Sequence, residues 1–515
     1  MRWDLTKGDR YTLSETSKSQ AYKIQDAVKI SVYLEGDFPA EFKQLQIETD
    51  QLLVEYRNAN KAIRFEFVNP KSREQELQNL GMQPSILTVE KNGVFSEQTI
   101  FPFVEIRSED KVEVVNLLKD NSTNNQIEQS ISSLEYKFTN ALAKLSDKKT
   151  KKIAVLSGNS ESSDLLLYDL LSEVSQKYFL AKFTLDSAKT AAAKTLEQIL
   201  EYDLLLISNP KETFTPSEKF ILDQYQIAGG NTLWMVDQVQ SSLDSLMQSG
   251  ESLSFPNNLG LEDLFFSYGF RIQNKLIKDL YSSKIPLATG NSGKQTQYQL
   301  INWPFHNLAL SGETDNIISS GLNWVDLAYS SPIELLNNSL EKTILLQSSD
   351  KVVTESSPGL ISLNKLRKNK ESDYNQGPFP LAILLEGQFR SAYEFRTKPF
   401  QSDAVLTAPG KLILISDGSI AENKFQNDRP VPLGTNLWTK EVFDNKNFLL
   451  NSIDYLCGEE SILDLRNKKL VFAPLNKEKA FDEGVFWRYL NLLFPLGLLL
   501  LGFVLFNFFY RKNYI

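Results

Sequence analysis

Cysteine and histidine are almost missing from this sequence: Cys457 and His306 are the only ones in 515 residues. A lone cysteine excludes an internal disulfide, a Cys-x-x-Cys pair and a thiolate cluster. A lone histidine removes most zinc sites, and any Ser–His or Cys–His catalytic pair must use His306. That residue stands beside Trp303-Pro304-Phe305 and reads as a packing or surface residue. Positive charge is also in short supply. Lysine and arginine number 55 against 64 aspartates and glutamates, a formal net charge of -9. General nucleic-acid binding needs a clustered basic face, so nucleic acid is not an expected partner. A phosphate loop is missing too. Ala288–Gln295 (ATGNSGKQ) comes nearest, yet Ala288 occupies the first glycine position. Gln295 follows Lys294 where Ser or Thr would bind magnesium. This stretch reads as an ordinary loop, and no cofactor or metal is expected.

One long apolar run is present. Leu492–Phe509 (LLFPLGLLLLGFVLFNFF) carries no charge and a single amide, Asn507. At helical rise it spans roughly 27 Å, close to the hydrocarbon thickness of a bilayer. Trp487 and Tyr489 flank one end, and Tyr510 and Tyr514 the other, where amphipathic rings favour the headgroup region. A core helix usually keeps a polar stripe, and this run is apolar on every face. A transmembrane helix is expected over 481–515 together with its short basic tail. Arg511 and Lys512 put that tail in the cytoplasm by the positive-inside rule, although Arg488 and Lys477 weigh on the opposite flank. The body then lies on the other side of that membrane. The opening MRWDLTKGDRYTLS has no apolar run, so a signal or first membrane helix is expected upstream of Arg2. The body would then be tethered at both ends.

The rest reads as α/β in two parts. Residues 1–122 show a helix from Ser14, the strand Val28–Leu34, a helix over Phe42–Asn58 and the strand Ile63–Val68. A short helix at Glu74–Leu80 follows. Then come Pro84, the strands Ser85–Glu90 and Val94–Phe103 across Lys91-Asn92-Gly93, and a helix at Lys111–Lys119. This order resembles the thioredoxin fold over 28–120, with Pro84 where that fold carries a cis-proline. No cysteine stands at Glu35–Pro39, so thiol redox chemistry is excluded. Residues 123–480 begin with a helix at Glu128–Leu145. The apolar strands KIAVL (152–156), LLLI (204–207), TLWMV (232–236), LAILL (381–385) and KLILIS (411–416) follow, with helices between. They predict a parallel, doubly wound sheet covered on both faces. Thr215-Pro216-Ser217-Glu218 is a capping box at a helix start. Residues 250–375, rich in Ser, Asn and Lys, read as loops and a peripheral subdomain.

In an open α/β sheet ligands bind beyond the C-terminal strand ends. Gly158, Asn159, Ser208, Asn209, Asp237 and Asp417 each follow an apolar strand and are the candidate ligand-binding residues; Glu386 has the same placement. The same residue types also punctuate turns and cap helices. No nucleophile–base pair is legible, so no catalytic residues are assigned. The high aromatic content, 32 Phe and 19 Tyr, fits a core as readily as a binding face.

Two stretches carry a family resemblance. Arg2-Trp3-Asp4-Leu5-Thr6 with Tyr11-Thr12-Leu13-Ser14, and Asn447–Leu456 followed by Trp487 and the terminal helix, resemble the ABC-transporter auxiliary proteins. Within them the chain looks most like the gliding-motility-associated components of Bacteroidota. The resemblance implies an inner-membrane protein with a periplasmic body, working with a membrane permease and a separate ATPase. It also implies a middle domain like the class I glutamine-amidotransferase sheet, with no cysteine near Ser208 or Asp237 to supply that activity. The expected function is a non-enzymatic accessory or substrate-binding subunit linked to gliding motility or export. The alternative is a structural scaffold that binds envelope proteins and no small molecule. A glycan hydrolase using Asp237 and Asp417 is a third reading.

Overall fold

The computed structural model describes residues 12–36, 39–91, 94–109, 111–118, 126–146, 149–241, 243–292, 295–312, 316–363, 370–402, 408–466 and 483–514. It separates into a large unit, Tyr11–Lys468, and a second one that includes Lys469–Ile515.

The large unit begins where the Ser14 side chain accepts from the Ser17 N–H and starts helix α1, Glu15–Lys23. There follow β1 (Val28–Val32), α2 (Ala40–Ala59), β2 (Ile63–Phe67), α3 (Glu74–Asn79), β3 (Ser85–Lys91) and β4 (Val94–Ile100). Then come β5 (Phe103–Ser108), β6 (Lys111–Asn116) and α4 (Gln126–Ser146). Four of these strands form one sheet in the order β2-β1-β5-β6, with β1 and β2 parallel and β5 antiparallel to both its neighbours. This corrects the expected order. β3 and β4 make the foreseen hairpin, but it forms a separate two-stranded sheet. The expected helix at Lys111–Lys119 is strand β6: Lys111-Val112-Glu113-Val114 alternates with period two, and β-branched residues favour the pleat. The cis peptide bonds of the described residues precede Pro358 and Pro378, so Pro84 is not cis. Helix α4 packs against α1, α2 and β6.

The second sheet is built from leucine-rich strands. It contains β7 (Lys152–Ser157), β8 (Phe179–Thr184), β9 (Leu204–Ser208), β10 (Asn231–Met235), β11 (Ser282–Ser292) and β12 (Gln295–Ser311). Also part of it are β13 (Val325–Ala328), β14 (Glu341–Gln347), β15 (Pro380–Gln388) and β16 (Pro409–Ile415). The order is β11-β12-β14-β15-β16-β10-β9-β7-β8, with β13 paired to β12. The half from β16 to β8 is parallel. The strand at 381–385, expected to be parallel like its neighbours, is antiparallel to β16 and begins an antiparallel extension through β14, β12 and β11. An apolar run buried on both faces reads alike in either direction, so strand direction was not legible.

Alternate residues serve two cores. Leu205 and Ile207 of β9 face Leu196 and Ile199 of α6 (Ala188–Ile199) and Phe220 and Ile221 of α7 (Pro216–Ile227). Leu204 and Leu206 face Leu170 and Val174 of α5 (Tyr168–Lys177) and Phe448, Leu449 and Ile453 of a later helix, Asn445–Leu456. The Thr215–Glu218 capping box forms as expected at the start of α7. The stretch 250–375 is mainly strands: it supplies β11 to β14, and its smaller strands pair in short sheets, among them Lys275–Asp279 with Val352–Ser356. Ala288–Ser292 belongs to strand β11 and Gln295 opens β12, so the expected loop there is a β-hairpin arm; Gly293 and Lys294 lie outside the described residues.

In the second unit a single helix, Gly484–Tyr514, contains the apolar run. Phe486–Val504 is long and apolar enough to cross a membrane, and none of it is buried. A core helix would be covered by protein, so the exposure favours lipid contact.

Two outcomes test this arrangement. Leu206→Ala, which empties a site only 2% exposed, is expected to lower unfolding free energy by about 2–5 kcal/mol in denaturant titrations. The full chain is expected to stay in the membrane pellet after a high-pH carbonate wash, and a chain lacking residues 484–514 to move to the supernatant.

Candidate functional site

The C-terminal ends of the parallel strands gather part of the expected set. Asp237 lies two residues beyond β10 and Asp417 two beyond β16. The Gly418 N–H donates to Asp237 Oδ1 at 2.7 Å, tying the two ends together. Asn209, next after β9, adopts φ 52° and donates from its backbone N–H to the Met235 carbonyl. A Cβ on Gly418 would lie 2.6 Å from Asn209 Oδ1, so only glycine admits this approach. Asn209 Nδ2 donates to Glu422 Oε1 at 2.9 Å, and Ser162 Oγ donates to the same oxygen at 2.6 Å. Ser208 joins through Ser162, whose N–H donates to the Ser208 carbonyl.

Gly158 and Asn159 sit one strand further along and are engaged differently. Gly158 has φ 123°, and a Cβ there would meet Thr184 Oγ1 at 2.9 Å. The Asn159 carbonyl accepts the N–H groups of Lys211 and Glu212, and its Nδ2 points to Glu218 at 3.4 Å. Glu386 lies apart, accepting from the Tyr455 hydroxyl. The residues brought together are Ser208, Asn209, Asp237 and Asp417, with Ser162 and Glu422 added.

Asp417 is 1% exposed. Its Oδ2 accepts the Ala328 N–H at 2.7 Å and its Oδ1 accepts the Ser419 N–H and hydroxyl at 2.8 Å. Burial raises the pKa of Asp417, and the neighbouring Asp237 charge raises it further, against these hydrogen bonds. Burial likewise raises Asp237, opposed by the Gly418 N–H and assisted by Glu422. The two acids thus resist being ionised together. Asp417 also lines a cavity of about 60 Å³ with His306, Asp326, Glu422 and Lys424. Burial pushes Asp326 upward, but His306, Lys424 and Ser283 outweigh it and hold its carboxyl below the usual range.

His306, read from sequence as a packing or surface residue, is buried among polar groups. Its Nδ1 lies 3.8 Å from Asp326 Oδ1 and 3.4 Å from Ser283 Oγ. This Ser–His–Asp grouping has the wrong arrangement for acyl transfer. Serine and aspartate meet the same ring nitrogen, whereas a triad needs them on opposite nitrogens. Ser283 also donates to Asp326 at 3.2 Å, which directs its proton to the acid. Asp326 and Ser283 come from strands that the sequence pattern left unparsed, so no local signal joined them to Asp417. Glu422 could have been found: it follows Asp417 closely on the same strand-to-helix turn.

The family described as an ABC-type uncharacterized transport system matches residues 150–452. The chain belongs to this family. A domain of unknown function matches residues 7–107 of this ABC-transport auxiliary chain. No curated protein matches it. Among solved structures it is similar to the mmIFT52 N-terminal domain, at 14% identity and a TM-score of 0.34, covering 59% of this chain and 97% of that one. Membership implies association with ABC-transporter components, and the apolar helix is consistent with attachment to a membrane.

The acid pair sets a pH dependence with a definite sign. A carboxyl whose folded pKa is raised contributes stability at acidic pH that is lost as pH climbs through the raised value. Asp237→Asn keeps an acceptor for the Gly418 N–H and removes one charge. Its stability relative to the native chain is expected to improve by on the order of 1 kcal/mol from about pH 5 to about pH 9, read from unfolding midpoints along that series.

Proposed function

We propose that this auxiliary chain is a non-enzymatic accessory or substrate-binding subunit of an ABC-type membrane complex, of the gliding-motility-associated kind represented by GldG. Its body lies in the periplasm, the helix 484–514 crosses the inner membrane, and Arg511 and Lys512 end in the cytoplasm. The family match over the strand-rich body is the observation that carries this reading. The uncovered apolar helix supports the anchor. ATP hydrolysis in such a complex belongs to a separate ATPase in this reading, and a permease supplies the pore. The hairpin position of 288–292, with no helix opening after it, supports that division.

The sheet β2-β1-β5-β6, two parallel strands extended by two antiparallel ones, supports a thioredoxin-like N-terminal module. The parallel half from β16 to β8, covered on both faces, supports an amidotransferase-like second one. Both are read as recognition or spacing modules. The engagement of Asp417 by three donors favours the scaffold alternative at that position, because a group held so fully has little left to offer a ligand.

Isolation of the full-length chain from its native membranes in gentle detergent is expected to recover a permease and an ATPase in stable ratio. Recovery of neither contradicts the accessory role. Alanine at both Asp237 and Asp417 is expected to lower stability without altering any envelope glycan turnover.

A further inference from the structure

A larger cleft is lined by Gln238, which follows Asp237 at the same strand end. It holds about 700 Å³, within the range of small-ligand sites. Leu259, Leu261, Phe265 and Ile272 line it from the core and are each buried, and Phe266, which also lines it, is 65% exposed. Gln238, the residue after Asp237, is 8% exposed and donates from Nε2 to Asn274 Oδ1 at 2.7 Å. That bond fixes both amides. It leaves Gln238 Oε1 as an acceptor and Asn274 Nδ2 as a donor, neither with another partner among the described residues, both lining the cleft.

The charges sort into used and unused. Asp263 is occupied by Lys219 at 3.0 Å and Arg396 at 2.6 Å, and Arg271 by Glu334. Glu262 and Lys275 line the cleft without a direct ion pair among the described residues, Lys275 acting on Glu334 only through space. Gln273 lines the cleft too and donates from Nε2 to Glu334, so the open inventory is one anion, one cation, two amide acceptors, one amide donor and an exposed aromatic ring over an apolar floor. A neutral sugar would use the amides and leave both charges idle. A nucleotide would meet one cation and one repelling carboxylate.

We propose that this cleft binds a short peptide with free termini. The peptide ammonium faces Glu262 and its carboxylate faces Lys275. A main-chain amide pairs with Gln238 Oε1 and Asn274 Nδ2, and an apolar side chain lies against Phe266. Fixed amides suit this task, because two partners already held in place lose little freedom on binding. The inference deepens the substrate-binding half of the function proposed above and rests on it.

The test is calorimetric titration of the full-length protein in detergent with an equimolar set of unblocked tripeptides carrying a central Leu or Phe. The same peptides, N-acetylated and C-amidated, and N-acetylglucosamine serve as comparison probes. Saturable binding of the unblocked set is expected, at least about tenfold tighter than that of the capped set. Phe266→Ala is expected to weaken it roughly three- to tenfold. Lys275→Glu is expected to erase the preference for a free carboxylate, and Glu262→Lys that for a free ammonium. All three side chains are solvent-accessible, and an unchanged unfolding midpoint verifies that each variant is folded. The proposal is overturned if the capped and unblocked sets bind alike, if only the sugar binds, or if the folded variants bind as the native chain does. Peptide binding without recovery of a permease defeats the accessory role and keeps the cleft; the reverse outcome defeats the cleft alone.

Discussion

The two-sided burial of β7, β9, β10 and β16 governs everything else in the large unit. Each strand places successive leucines, isoleucines and valines into opposite cores, and each such side chain contributes about 1.5–3 kcal/mol when removed from water. Among the described residues, the polar side chains buried within those strands are Thr232 of β10, which donates to Gln226 Oε1, and Ser208 at the end of β9. Other polar chemistry is displaced to the points where the chain leaves the sheet, which is why Asn209, Asp237 and Asp417 meet at one end.

At that end the backbone has first claim. Asp417 satisfies the N–H groups of Ala328 and Ser419, and Asp237 that of Gly418. These donors would otherwise be orphaned, and an unpaired buried N–H costs about as much as the hydrogen bond it lacks. The same contacts hold both acids in burial that raises their pKa values, and the Asp237 charge raises Asp417 further. A structural duty thereby produces the electrostatic signature often associated with active sites. Beside it, Gln238 and Asn274 satisfy each other only in part, and what they leave open faces solvent in a wide cleft.

The sequence made the strands legible because runs such as Leu204–Ile207 admit few alternatives, and it made α7 legible through its capping box. Strand direction was not legible, as β15 illustrates: burial on both faces is identical for parallel and antiparallel neighbours. β6 was misread as a helix because a short run of valines carries too few turns to reveal its period. The strand-end acids were found by position, since Asp237 and Asp417 directly follow apolar strands. Ser283, His306 and Asp326 were not, because they meet through long-range pairing of β11, β12 and β13. The amide pair was missed for the same reason: Gln238 and Asn274 lie 36 positions apart.

The large unit packs two cores against one sheet and presents polar groups at one strand end, and the helix 484–514 is consistent with attachment to a membrane. Hydrogen exchange of the full-length protein, followed by mass spectrometry in detergent, tests the two-core packing most directly. Amides of Leu204–Ser208 and Asn231–Met235 are expected to exchange last and together, at the rate of global unfolding, well after the β11–β12 hairpin. Exchange of these strands as early as that hairpin, or at rates differing between β9 and β10, would contradict it.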